Sequence, residues 1–468
     1  MGLSEETQRK QKTSNEGYLR KVGLEAREEA GVQSTPLANT HGKAESGERT
    51  TDLMERILDR DNLNGAMKRV IRNKGSHGID GMQVDELLPY LKEHGSVIVS
   101  EIRGGTYRPQ PVRKAAIPKP DGGIRELGIP TVIDRWVQQS LAQVLTHVFE
   151  PEFSESSYGF RPGRSAHMAL NVALGHINDG YRYVVDIDLE KFFDRVNHDV
   201  LMGLIAKKVE DRRVLKLIRS YLEAGVMLSG VKVKSQEGTP QGGPMSPLLS
   251  NILLNELDKE LECRGHRFCR YADDCNIYVR SRRAGERVMA STRRFIENRL
   301  RLTVNERKSA VDSPMRRKFL GYSIYNARGQ YKLRVHPKSF KRLKGKIRDI
   351  TNRNVSMNFE TRVKRLTEIT RGWVNYFKLA DMKTHLKSLD EWVRRRLRAC
   401  IWKTWKHIRT RYANLKKLGI PKGKAWEFAN TRKGYWRISN SPILTRSITN
   451  VRLEKRGYTS MSNMFSRT

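Results

Sequence analysis

The chain has 468 residues, with 89 Lys plus Arg against 51 Asp plus Glu, a formal charge of +38. Hydrophobic residues at 38% allow a sizeable core, which excludes wholesale disorder, and a length of about 100–200 residues per domain predicts two to four domains. No apolar run is long enough for a membrane span, the opening lacks the apolar stretch of a signal peptide, and four cysteines exclude a disulfide scaffold and fit a reducing, cytoplasmic compartment. So basic a protein needs a polyanion, and nucleic acid is the first candidate. No membrane partner is expected.

In chain order, residues 1–50 are polar and without periodicity, which predicts a mobile extension. Leu53, Ile57, Leu58, Met67, Val70 and Ile71 predict one helix from Leu53 to about Arg72, ended by the turn cluster Gly75 to Gly81. A mixed α/β region follows to about residue 325. Within it Tyr183 to Asp188 reads as a strand, with Val185 and Ile187 on one face and Asp186 and Asp188 on the other. The glycine- and proline-rich stretch Gly238 to Pro244 reads as a loop. Ser246 is expected to cap the next helix, with Pro247 in its first position and a stripe of Leu248, Leu249, Ile252, Leu253 and Leu257. Phe268–Tyr271 and Cys275–Val279 read as paired strands around Ala272, Asp273 and Asp274.

Helices are predicted from about Pro337 to Leu418, followed by a basic tail. Residues 331–468 hold 36 Lys plus Arg against 8 Asp plus Glu, and six of the seven Trp, so this third is the electrostatic footprint. Helical spacing at Arg362, Leu366, Ile369, Trp373 and Phe377, and at Val393, Leu397, Cys400, Ile401, Trp405 and Ile408, places most of the aromatics in packing. Contact with nucleic acid then falls to Arg394, Arg395, Arg398 and Lys403 on the other faces.

Two carboxylates on one face of a β-branched strand are costly unless a positive charge answers them. Asp-Asp in a turn is by itself more often solvated than catalytic. Strand and hairpin brought side by side would instead supply hard oxygen ligands for two Mg²⁺ ions about 3.5–4 Å apart, the arrangement suited to in-line phosphoryl transfer.

The run DIDLEKFFD from Asp186 to Asp194, GTPQGGPMSPLLSN from Gly238 to Asn251 and YADD from Tyr271 to Asp274 resemble successive palm motifs of a reverse transcriptase. The nearest resemblance is to the group II intron-encoded reverse transcriptase/maturase family, over roughly residues 52–460. It implies an α+β fold: a right-hand polymerase with fingers and palm, a mainly antiparallel sheet plus helices, then an α-helical thumb and maturase domain. The corresponding divisions are 1–50, the mobile extension; 51–325, fingers and palm; 326–430, thumb and maturase; and 431–468, a basic C-terminal tail.

The resemblance implies that Asp188, Asp273 and Asp274 are the catalytic, metal-holding acids, with two Mg²⁺ ions or Mn²⁺ as substitute. Asp188 is chosen because an aromatic, Phe193, follows five residues on; Asp186 is the alternative. Phe193 would lie beneath the sugar of the incoming nucleotide and exclude a 2′-hydroxyl. Lys119 and Arg125 would meet the triphosphate of the dNTP. Gln241 and Gly242 would line the nucleotide site, and Lys308 would protonate the leaving pyrophosphate. Arg161 and Arg164, in SYGFRPGRSAH, would touch the template. FLGYSI at Phe319 to Ile324 resembles a primer grip, and RGWVNYF at Arg371 to Phe377 the maturase region.

The function implied is an RNA-directed DNA polymerase that also binds its parent intron RNA for splicing and mobility. Its partners would be that RNA, an RNA template with DNA primer, target DNA and dNTPs, and it would act as a ribonucleoprotein. Two other readings are an RNA-binding splicing cofactor without polymerase activity, and a reverse transcriptase used in host defence or DNA repair. Many relatives end in a zinc-supported HNH endonuclease, but Cys263, Cys269, Cys275 and Cys400 form no CxxC pair. Neither zinc nor endonuclease is expected, and the four cysteines read as small buried hydrophobes.

Overall fold

Where the spacing predicts one helix from Leu53 to Arg72, two form: α1 (Leu53–Ile57) and α2 (Arg60–Asn73). The Asp59 carboxylate accepts from the N–H groups of Asp61 and Asn62, which caps a new start and divides the run. The computed structural model describes residues 52–118, 123–228, 231–233, 237–239 and 242–467. The expected N-terminal extension lies outside the described residues. The remainder falls into two units that divide between Pro314 and Met315.

In the first unit α3 (Leu87–Gly104) precedes a hairpin of β1 (Val112–Pro118) and β2 (Ile124–Ile129), in which Ile117 pairs with Arg125. Then come α4 (Val132–Phe149), α5 (Ala166–Asn178), β3 (Tyr183–Ile187), α6 (His198–Ala206), α7 (Arg212–Glu223), β4 (Val226–Leu228) and β5 (Val231–Val233). The unit ends with α8 (Ser246–Cys263), β6 (Arg267–Tyr271), β7 (Asp274–Val279), α9 (Arg282–Arg299) and β8 (Ala310–Asp312). One sheet has the order β2-β1-β4-β5, antiparallel except where β4 runs parallel to β1. The other, β6-β7-β3-β8, is antiparallel throughout. Val185 and Ile187 are buried in one core with Ile277 and with Val288 and Ile296 of α9, so the opposite face of β3 carries the acids.

The helix expected after Ser246 begins at it. The turn closed by the Ser246 N–H on the Gly243 carbonyl already gives Ser246 helical backbone, and Met245 takes the cap position without a side-chain bond.

The second unit opens with a two-stranded antiparallel ladder, β9 (Tyr322–Ala327) and β10 (Gln330–Val335). Five longer helices follow: α10 (Pro337–Ile350), α11 (Phe359–Tyr376), α12 (Lys383–Thr404), α13 (Ile408–Lys417) and α14 (Lys422–Ala429). The stretch expected as a tail forms α15 (Tyr435–Ile438), α16 (Pro442–Ser447), α17 (Asn450–Lys455) and α18 (Met461–Phe465). It is packed, with Ile438, Leu444, Leu453 and Met461 buried. Asp390 of α12 clasps its end, accepting from the N–H groups of Met461 at 2.8 Å and Ser462 at 2.9 Å and from the Tyr458 hydroxyl at 3.1 Å. Of the tryptophans here, Trp373, Trp402 and Trp405 are buried, whereas Trp426 and Trp436 are exposed.

Candidate active site

The strand β3 ends one residue before Asp188, and its pairing with β7 (Asp186 with Asn276, Ile187 with Cys275) carries Asp188 toward the hairpin turn between β6 and β7. Tyr271 and Asp274 close that turn, leaving Ala272 and Asp273 at its tip. Ala272 takes φ +56°, a left-handed conformation that a two-residue hairpin loop demands and that costs an alanine energy.

Asp188 is fixed through its backbone. Its N–H donates to the Ser309 hydroxyl at 3.0 Å, and its carbonyl accepts from the Asn305 N–H at 2.8 Å. Lys308, on the same loop, lies 3.4 Å from both carboxylate oxygens. Burial pushes the Asp273 carboxyl above the ordinary carboxylate range; Asp188 adds repulsion, while a backbone hydrogen bond and the charges of Arg125 and Lys308 pull it back. Asp188, Asp273, Arg125 and Lys308, spread in sequence from position 125 to position 308, thus share one electrostatic neighbourhood.

Among the described residues no three His, Cys, Asp or Glu side chains gather as a metal-holding group. Asp274 opens β7, exposed and opposite Tyr271, because successive strand residues face opposite ways. Asp186, the alternative to Asp188, is half-buried within β3 and lies between Asn276 and Ala310 in the ladder.

Phe193 is half-buried, edge-on to Phe192 at 5.2 Å, and its carbonyl accepts from the Thr239 N–H at 2.7 Å. The Gly238 N–H bonds the Val196 carbonyl and His198 meets the Gly238 carbonyl at 2.7 Å, so the glycine-rich loop is sewn to the segment after β3. Gly242 has φ +127°, where a side chain would also approach the Gly128 carbonyl of β2 at 3.1 Å. Lys119 and Gln241 lie outside the described residues.

Arg161 departs from its expected role. It is 4% exposed, bonded to Glu150 at 2.9 Å and to the Ser157 carbonyl at 2.9 Å, so it braces a loop and is closed to a template. Arg164 pairs with Glu155 and covers the Tyr158 ring at 5.8 Å. In the second unit Arg398 is likewise buried, donating to the Ile448 carbonyl at 2.9 Å and to Asn450 at 3.2 Å. The same helix places Arg394 half-buried. Arg395 stacks over Trp436 at 3.9 Å and Lys403 over Tyr435 at 4.8 Å. These cations tie the C-terminal helices to α12, a use that helical periodicity does not reveal. Cys269, Cys275 and Cys400 are buried as expected of small apolar side chains, whereas Cys263, at the last turn of α8, is exposed.

Sequence reasoning misses the brace behind the turn. Arg270 is fully buried; it pairs with Asp258 at 2.6 Å and donates to Asn251 at 3.1 Å, the Ser157 hydroxyl at 2.7 Å and the Ala272 carbonyl at 3.0 Å. Burial works against its charge, but Asp258 overrides it and the pKa of Arg270 is raised. Burial also raises Asp258 against the pull of Arg270, and the short contacts decide for the charged pair. Gly159 packs on the same turn, where a Cβ would come within 2.3 Å of the Ala272 nitrogen. One signal was available: Asp258 lies on the buried stripe of Leu254 and Leu261, where an acid requires a partner.

An antiparallel sheet carries Asp188 at a strand end toward the hairpin turn that holds Asp273, and comparison with known proteins gives the class of the domain built on it. The family described as "Reverse transcriptase (RNA-dependent DNA polymerase)" matches residues 117–324, and "Group II intron, maturase-specific domain" matches 340–419. Protein YkfC of Escherichia coli (strain K12) is 31% identical over 323 residues, 60% of this chain and 84% of that protein. Group II intron-encoded protein LtrA of Lactococcus lactis subsp. cremoris is 38% identical over 210 residues, 45% of this chain, which spans about a third (35%) of LtrA's length. A solved telomerase from Candida albicans is 13% identical with a TM-score of 0.40, over 73% of this chain and 69% of that one. The chain is a reverse transcriptase by domain. It belongs to the group II intron-encoded reverse transcriptase/maturase family. Among the described residues no helix is long and apolar enough to cross a membrane.

Proposed function

We infer that the chain extends a DNA primer on an RNA template and binds its parent group II intron RNA as a maturase, within a cytoplasmic ribonucleoprotein. The observation that carries the polymerase reading is the meeting of Asp188 and Asp273 beside Arg125 and Lys308. Two hard carboxylates that repel one another, both half-buried, fit a divalent cation better than they fit water. Asp188 and Asp273 would hold it, Mg²⁺ in the cell and Mn²⁺ as substitute, and when bound it supplies Lewis-acid stabilisation of charge at the reacting phosphate.

The chain's own groups supply the rest. Arg125, on the β1–β2 hairpin, offers a planar fork to the dNTP triphosphate. Phe193, held by Phe192 and the Thr239 N–H, sits beneath the sugar and turns away a 2′-hydroxyl. The primer 3′-oxygen attacks the α-phosphorus as its proton passes to solvent water, and the bond to the β,γ-pyrophosphate breaks; Lys308 donates a proton to that leaving group. In the second unit the net positive charge binds intron RNA. Splicing chemistry would then belong to the RNA, and target DNA would be copied into at the site of insertion.

The test is primer extension on an RNA template by wild type and Asp188→Asn, with splicing of candidate intron RNA at low Mg²⁺ in parallel. Extension lost with splicing kept supports both halves. A wild type that extends nothing removes the polymerase half.

A further inference from the structure

Aromatic rings at the surface of the second unit are mostly covered by a cation. Arg395 covers Trp436, Lys403 covers Tyr435, and Arg396 lies over Trp392 at 5.2 Å. Trp426 differs. It is 58% exposed, and among the described residues its ring neighbour is Tyr412, edge to face at 5.8 Å and 86°, with no cation over the indole. Lys416 stands 5.6 Å from the Tyr412 ring.

The two rings come from α13 and α14, which form a helical hairpin. Residues 406–433 hold nine Lys plus Arg and one acid, Glu427, which Lys424 engages at 3.0 Å. A large apolar ring left in water within so basic a stretch suits a partner that is anionic and offers flat π faces. A nucleic acid with unpaired bases is both, whereas a duplex hides its base faces. Trp426 also lies beyond the matched maturase-specific segment, 340–419.

We propose that Trp426, set by Tyr412, is a stacking step for an unpaired nucleobase of single-stranded RNA, with the lysines and arginines of the same hairpin drawing in its phosphates. This rests on the RNA-binding reading above and adds which state of RNA the hairpin selects. The indole face takes the base; the edge-on Tyr412 fixes the indole's orientation.

The experiment uses the full chain and two probes of equal length, an oligouridine single strand and a blunt RNA duplex, with binding measured across a salt series for wild type, Trp426→Ala and Trp426→Phe. A stacked base contributes enough that Trp426→Ala should bind the single strand about tenfold more weakly. Duplex binding and the salt dependence should be unchanged, since no phosphate contact is lost, and Trp426→Phe should recover most of the affinity. Thermal melting of each variant controls for folding. Equal single-strand binding by wild type and Trp426→Ala overturns the proposal, as does equal loss for single strand and duplex. A wild-type dimer that Trp426→Ala dissociates in sedimentation also overturns it, in favour of self-association. A wild type that binds neither RNA would instead sink the RNA-binding reading itself, which distinguishes the two failures.

Discussion

The Arg270 guanidinium donates to the Ala272 carbonyl over 3.0 Å, so a fully buried cation holds the residue next to Asp273. The same guanidinium is anchored on Asp258 of α8. Arg270→Met should destabilise the chain by about 3–5 kcal/mol, because it strands a buried carboxylate. Adding Asp258→Leu should restore most of that stability, since an apolar pair of similar volume replaces the ions. Primer extension should stay low in the double variant, because the turn has lost its donor. Urea unfolding and extension rates read both effects, and full recovery of extension would show that the pair acts through stability alone.

Lys308 pairs with half-buried Asp188 but is itself exposed, its side chain 64% accessible. Lys308→Ala should therefore change stability by less than about 1 kcal/mol. Its effect on turnover should be far larger, a loss of about 10²-fold if the ammonium protonates the leaving group. Single-turnover rates over a pH series check this; an unchanged rate would assign the lysine to the surface.

Phe193 is half-buried beside Phe192 and tied to the glycine-rich loop. Phe193→Val opens the space beneath the sugar. Incorporation of ribonucleotides relative to deoxyribonucleotides should rise by about tenfold, the value of about 1.4 kcal/mol of lost steric discrimination. Competition between rNTP and dNTP in one extension assay measures the ratio, and no change would place the phenylalanine in the core only.

Asp134 is 1% exposed and accepts from the hydroxyls of Thr131 at 2.7 Å and Tyr107 at 2.8 Å and from the Gln110 N–H at 3.1 Å. Burial raises its carboxyl pKa and outweighs these bonds. The folded state therefore binds the proton more tightly than the unfolded one. Its contribution to stability is fully present below the unfolded value of about 3.9 and is lost as pH climbs through the folded value. Denaturation midpoints should fall over that window in wild type and fall less in Asp134→Asn; identical slopes would remove the claim.

Much of the palm was legible because its signals are local. Alternation at Val185 and Ile187 set the faces of β3, and strand patterning around Ala272 and Asp273 set the hairpin. What was not legible depends on pairing across the fold. Nothing near Arg398 distinguishes a surface cation from one that braces a carbonyl, since that depends on Ile448, 50 residues away. The stretch read only as a basic tail gave no helical signal because its helices are four to six residues long, too short for periodicity, and are held by tertiary contacts such as the Asp390 clasp. Arg270 escaped for the same reason: its partner Asp258 lies on another element.

The most direct test of the site is extension of a DNA primer on an RNA template with Mg²⁺ by wild type and by Asp273→Asn, which keeps the shape of the turn while removing its charge. Wild type should add nucleotides and Asp273→Asn should add none above background, with equal melting temperatures and equal affinity for the RNA. Undiminished extension by Asp273→Asn would contradict the assignment of Asp188 and Asp273 as the catalytic pair.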